Sequence, residues 1–109
     1  FAWSLRYDLS VERKLCELVI VRIALAAEAA YEYEHHARIA QSEGVTPEQI
    51  AAIAAWRTSD LFDERERAVL ALADDLTSGF SASDATMDRL KALFSNSECV
   101  ELIVTGSFY

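Results

Sequence analysis

An all-α fold is what this sequence predicts, and three observations carry the prediction. Glycine occurs only three times and proline once in 109 residues, while alanine and leucine, strong helix formers, recur along the whole chain. Apolar residues fall at helical spacing, as in Val69, Leu72, Ala73, Leu76 and Phe80, and no stretch alternates as a half-buried strand would. Capping signals stand where one helix would give way to the next.

The elements follow in chain order. Phe1 to Leu9 reads as a lead-in segment whose aromatic residues pack on a neighbouring surface. Ser10 can cap a first helix reaching about Ala27, although Arg13 stands where a capping box would place Glu. A second helix spans about Glu28 to Glu43, either continuous with the first or following it, and Gly44 suits the position after a helix that needs positive φ. In "TPEQ", Thr46 as N-cap, Pro47 at the first helical position and Gln49 at the third start a helix through about Trp56. Asp63 with Glu66 starts the next, carrying the apolar series that ends at Phe80. Ser83 caps a fifth through Phe94, buried through Met87, Leu90 and Leu93. Ser95 with Glu98 boxes the start of a sixth, still running at Tyr109.

Size and composition bound the organisation. A chain of 12.1 kDa with 52% hydrophobic and 26% charged residues is globular and large enough to bury a core as one domain. The lead-in occupies 1–9 and the domain 10–109. The chain opens on Phe1 instead of Met and stops inside "CVELIVTGSFY", which predicts a piece trimmed at both ends from a longer polypeptide.

Charge excludes whole classes of partner. The net charge is −8 and the pI near 4.6. Nucleic acid needs a clustered basic face, and the ten basic residues are scattered among eighteen acids. A membrane span is not expected either, because the most apolar run, Leu15 to Ala30, is short and broken by Glu17, Arg22 and Glu28. With no export signal in order, the expected location is the cytoplasm. Cys16 and Cys99 lie far apart and form no Cys-x-x-Cys, so they read as small buried hydrophobes.

Candidate chemistry concentrates in "YEYEHHARIA", Tyr31 to Ala40, and in the apolar helix before it. Glu17 and Arg22 sit among residues bound for a protein interior. Five positions apart they diverge by about 140 degrees around a helix, so they cannot pair with each other along it and each needs a partner elsewhere. A carboxylate taken out of water without a partner tends to hold a proton, the state that a general acid requires; the plainer alternative is that Glu17 reaches solvent or an ion pair. Glu32 and His36 are four apart and share a helix face, with Glu32 and His35 as the competing pair. A carboxylate against imidazole fixes the ring tautomer and makes it a usable proton carrier near neutral pH; a solvated pair is the plainer alternative. Glu32-x-x-His35 also has the form of a di-iron ligand motif, but that centre needs a second copy and these are the only two histidines. A metal centre within one chain is therefore not expected, a metal shared across an oligomer axis being the weaker alternative, and no organic cofactor is expected.

The run "ERKLCELVIVRIALAAEAAYEYEHHARIAQSEGVTPEQIAAI", with "DLFDERERAVLALADDLT" and "VELIVTGSFY", resembles the carboxymuconolactone decarboxylase family, which also contains the alkyl hydroperoxidase D-like proteins. The likeness spans roughly Ser10 to Tyr109. It implies an alkyl hydroperoxidase D-like bundle of about six helices, a helical hairpin housing the site, and homotrimers or homohexamers. The peroxidase members carry Cys-x-x-Cys-x-x-x-His; with the motif histidine set on His36, the two cysteine positions fall on Ala29 and Glu32, which implies no disulfide cycle. Glu32 with His36 matches the decarboxylase-like members, and Glu17 falls where the peroxidase branch has its relay glutamate. The resemblance therefore implies decarboxylation or related proton transfer on a small carboxylated lactone. His36 would be proton donor, Glu32 its orienting partner and Glu17 a second acid or relay. Arg22 or Arg38 and His35 would meet substrate, with Arg38 alternatively paired to Glu34. Residual thiol peroxidase activity and a non-catalytic helical oligomer or small-ligand binder are the competing functions. The apolar surplus of the first helix and of "LIVTGSFY" gives self-association an independent motive.

Overall fold

In a computed structural model of the chain, which describes residues 12–79 and 82–107, every regular element is helical. They are α1 (Arg13–Ala26), α2 (Ala30–Ser42), α3 (Pro47–Ala52) running into a 3-10 segment (Ile53–Thr58), α4 (Glu64–Ser78), α5 (Asp84–Leu93) and α6 (Asn96–Ser107). The lead-in, the Ser10 cap, Phe80 and the final Tyr109 lie outside the described residues.

The core forms around α1 and α4, which pack along each other. From Leu15 to Val21 every residue of α1 is buried, and α4 is buried from Ala68 to Ala73. Neither helix therefore has only one apolar stripe; each is enclosed on several sides. α2 and α6 cover other sides of α1, the 3-10 segment touches both central helices, and α5 covers α4. Leu102, Thr105 and Gly106 of α6 are buried, and Ile103 packs against the core. The apolar surplus of the first helix and of the C-terminal stretch is thus largely absorbed within the chain. Large hydrophobic residues among the described positions are strongly exposed only singly, at Tyr31, Leu61 and Val100.

Local signals explain most of the boundaries. Capping boxes close at Thr46 with Gln49 and at Asp63 with Glu66, each with both reciprocal hydrogen bonds. Ser83 caps α5 by accepting from the Thr86 amide, and Ser95 and Glu98 bond reciprocally at the start of α6. Gly44 takes φ +110 after α2, as a C′ residue should.

Two boundaries differ from the sequence reading. α1 ends at Ala26 with Ala27 as its cap, as expected for separate helices, but α2 starts at Ala30 and not at Glu28, which instead adopts φ 56 just beyond α1. The amides of Glu28 and Ala29 bond back to the carbonyls of Leu25 and Ala24 in a Schellman turn. The helix expected through Trp56 is α-helical only to Ala52. It tightens into the 3-10 segment and kinks at Ala55 (φ −124, ψ 42), which lets Ile53 and Trp56 both bury.

Candidate active site at the α1–α2 hairpin

Glu17 lies in the second turn of α1, the most enclosed helix, and retains 2% of its exposure. A carboxylate so placed requires a donor, since an unpaired buried charge costs several kcal/mol (~3–5). The reversal at Glu28 folds α2 back along α1, and His36 supplies a donor. Its Nδ1 lies 2.7 Å from Glu17 Oε1, with the ring also 2% exposed. The other ring nitrogen, Nε2, lies 3.6 Å from Glu32 Oε2 one helical turn earlier. Glu32 differs from Glu17 in one decisive respect: its side chain is 46% exposed. The imidazole is therefore gripped on its inner side by a buried carboxylate and faces outward to a carboxylate in contact with water.

An ionised carboxylate only accepts hydrogen bonds, so with Glu17 ionised the hydrogen of this contact sits on His36 Nδ1. The neutral ring then has its lone pair on Nε2, and the charged ring has its transferable proton there. Glu17 and Glu32 thus exchange the order of importance expected from the sequence. The shorter, buried contact belongs to Glu17, nineteen residues away, and the i, i+4 contact is the longer.

His35 is exposed and stacks on exposed Tyr31, with ring centroids 6.1 Å apart and planes within 6°; it meets His36 edge-on at 5.0 Å. Arg38 is exposed on α2. Arg22 is not brought to this histidine: its Nε donates to Asp74 Oδ1 at 2.6 Å, toward α4. Asp74 also accepts from Trp56 Nε1 at 3.1 Å and from Arg57 Nη2 at 3.3 Å. Sequence reasoning missed this hub, and the signal for it was an aspartate directly after the apolar face of α4. Among the described residues no group of three or more His, Cys, Asp or Glu side chains is arranged to hold a metal ion.

Neither cysteine stands at the hairpin in nucleophilic form. Both are free and buried. Burial pushes the Cys16 thiol up to about 11 and raises that of Cys99 as well. No helix among the described residues is long and apolar enough to cross a membrane.

The arrangement recurs at the level of fold in a crystal structure of a protein of unknown function from Agrobacterium tumefaciens, described as a candidate antioxidant defence protein AhpD. The TM-score is 0.89 over 97% of this chain and 73% of that one, at 24% identity. A comparison with curated proteins returns no match. The family model for the carboxymuconolactone decarboxylase family matches residues 1–75, which include the whole of α1, α2 and their hairpin, and the chain belongs to that family.

Proposed function

We infer that the protein is a proton-transfer enzyme of the decarboxylase kind, acting on a small carboxylated lactone with His36 as its acid. One observation carries the reading: a buried imidazole held at Nδ1 by Glu17 at 2.7 Å, with Nε2 directed to a half-exposed Glu32.

In such a reaction the bond between carbon and the departing carboxylate breaks and leaves its electron pair on carbon. Carbon dioxide departs, and the carbanion equivalent takes a proton from Nε2 of the charged ring. The ring ends neutral, with its remaining hydrogen on Nδ1 against Glu17. Glu32, in contact with water, returns a proton to Nε2. Glu17 fixes the tautomer and Glu32 connects the ring to solvent, so the three groups have distinct roles. His35, exposed beside the ring, is the group best placed to meet a substrate carboxylate. Proton transfer of this kind calls for no organic cofactor.

Thiol peroxidase chemistry, suggested by the description of the Agrobacterium protein, has less support. It needs an accessible thiolate and a resolving partner, while Ala29 and Glu32 occupy the positions where the family's peroxidases carry cysteine. A purely structural bundle has less support too, because it gives no reason to gather Glu17, Glu32 and His36 around one buried ring. The trimer or hexamer implied by the resemblance belongs to this reading and is measured by light scattering of the full chain.

The test is turnover of a carboxylated lactone beside a thiol-dependent peroxide assay. General acid catalysis contributes about 10²–10⁴-fold, so His36→Ala should lose turnover by that factor while circular dichroism keeps its helical signal. Glu17→Gln should lower kcat more than it raises KM. Unchanged turnover in His36→Ala, or peroxide consumption that disappears when Cys16 and Cys99 become serine, overturns the reading.

A further inference from the structure

A cleft lies on the side of α1 that faces α4, away from His36. It is a shallow opening of about 170 Å³ walled by Arg22, Ala54, Ala55, Trp56, Arg57, Thr58 and Asp74. Two guanidinium groups meet there on a single carboxylate. Arg22 uses only Nε on Asp74 Oδ1, and Arg57 uses Nη2 on Oδ2, an oxygen it shares with the Trp56 indole N–H. Among the groups that wall the cleft, two positive charges against one negative leave an excess of one, with Asp75 acting on Arg57 from outside that wall, in a chain whose net charge is −8.

The parts are held differently. Asp74 and Arg22 keep 20% of their side-chain exposure each, so they form the fixed floor. Arg57 keeps 62% and lies 4.4 Å over the buried Trp56 ring, a cation–π contact that orients its guanidinium without consuming its N–H groups. Exposed Ala54 and Ala55 make an apolar wall at the kink in the 3-10 segment. A planar fork of donors beside an apolar wall suits one carboxylate joined to a small hydrocarbon body.

The geometry points to this cleft as a binding site for a small organic monocarboxylate, separate from the His36 site, with Arg22 and Arg57 taking the anion and Asp74 setting their positions. A single added carboxylate would balance the excess charge, whereas a neutral molecule of the same shape would not.

Titration of the full chain with benzoate at low ionic strength tests it, read from the Trp56 indole N–H resonance, which reports on its bond to Asp74; Trp56→Phe identifies that signal against Trp3. Wild type should give a saturable shift and benzamide none. Arg57→Gln, at an exposed position, should weaken binding about tenfold, the equivalent of one lost charged contact. Asp74→Asn should tighten binding, because the internal competitor for both arginines loses its charge. His36→Ala should bind as wild type does. Absence of a saturable shift, an equal response to benzamide, or unchanged affinity in Arg57→Gln overturns the proposal, and the last arm stands even where Asp74→Asn fails to fold.

Discussion

Glutamate 17 shows why a single residue's role is hard to read before its surroundings are known. Its burial was only half legible, because an apolar α1 leaves open whether Glu17 or Arg22 is the one that turns inward, but its need for a partner elsewhere was legible. The identity of the partner was not, since His36 lies nineteen positions on and reaches Glu17 only after a chain reversal. The i, i+4 pair of Glu32 and His36 was visible from spacing, yet spacing carries no information about which carboxylate is nearer or drier. The same scale decides the cysteines. Cys16 was expected to be a buried hydrophobe, and burial does raise its thiol to about 11, with a hydrogen bond to Thr105 opposing and nearby Glu17 and Glu101 reinforcing. At pH 8 about one in a thousand such thiols is ionised, and the thiolate is the nucleophile. Native protein should therefore resist alkylation by iodoacetamide at this position while denatured protein reacts fully. Rapid native labelling of Cys16, mapped by mass spectrometry, would contradict the burial that disfavours a peroxidase.

Elements were legible where their termini carry their own chemistry. Thr46, Asp63 and Ser95 announce helix starts because a side-chain oxygen and a Glu or Gln three residues later satisfy each other's backbone partners. Helix ends were legible at about Ala27 and at Phe94 as well as at Gly44, but the turn that follows an end was legible only where glycine marked it. Two Schellman turns flank α2, one at Gly44 and one at Glu28, and the second was invisible because glutamate rarely takes positive φ. That turn is where α2 is set against α1, so a strained residue holds the hairpin that aligns His36 with Glu17. A side chain in the left-handed region costs about 1–2 kcal/mol. Glu28→Gly should accordingly stabilise the fold by about 1 kcal/mol, somewhat less than the strain because glycine loses more freedom on folding. Chemical denaturation with an unchanged m-value is the measurement, and a loss of stability would show that Glu28 makes a compensating contact. The 3-10 segment was missed for a related reason: nothing in "IAAWRT" breaks a helix, and the tightening follows from burying Ile53 and Trp56 together.

At the scale of the whole molecule, one buried carboxylate ties three elements. Glu66, 4% exposed, accepts from the Asp63 amide at 2.8 Å in the α4 capping box and pairs with Lys14 of α1 at 2.9 Å. Gln49 of α3 approaches both of its oxygens at 3.5 Å. The capping role was legible and the long-range one was not, since it depends on α1 and α4 lying side by side. The hydrogen bond and charge of Glu66 outweigh desolvation and raise Lys14 above its ordinary 10.5. A lysine raised in the folded state contributes stability that is fully present below its unfolded value and lost as pH climbs through the higher folded one. Asp75 works the opposite limb. Burial pushes its carboxyl up, but hydrogen bonds from Thr86 and Ser83 prevail and hold it below 3.8. A depressed carboxylate contributes above its unfolded value and fails as pH falls through the folded one. For these two groups, stability should be level between about pH 4 and pH 10, falling on either side. Lys14→Met should lower the plateau by about 1–3 kcal/mol, because Glu66 stays buried with one fewer partner, and should remove this lysine's share of the alkaline decline. Denaturant titrations across pH on both proteins measure it: an alkaline limb of undiminished steepness in Lys14→Met would assign that limb to the mutual repulsion of an acidic chain instead of to the α1–α4 ion pair.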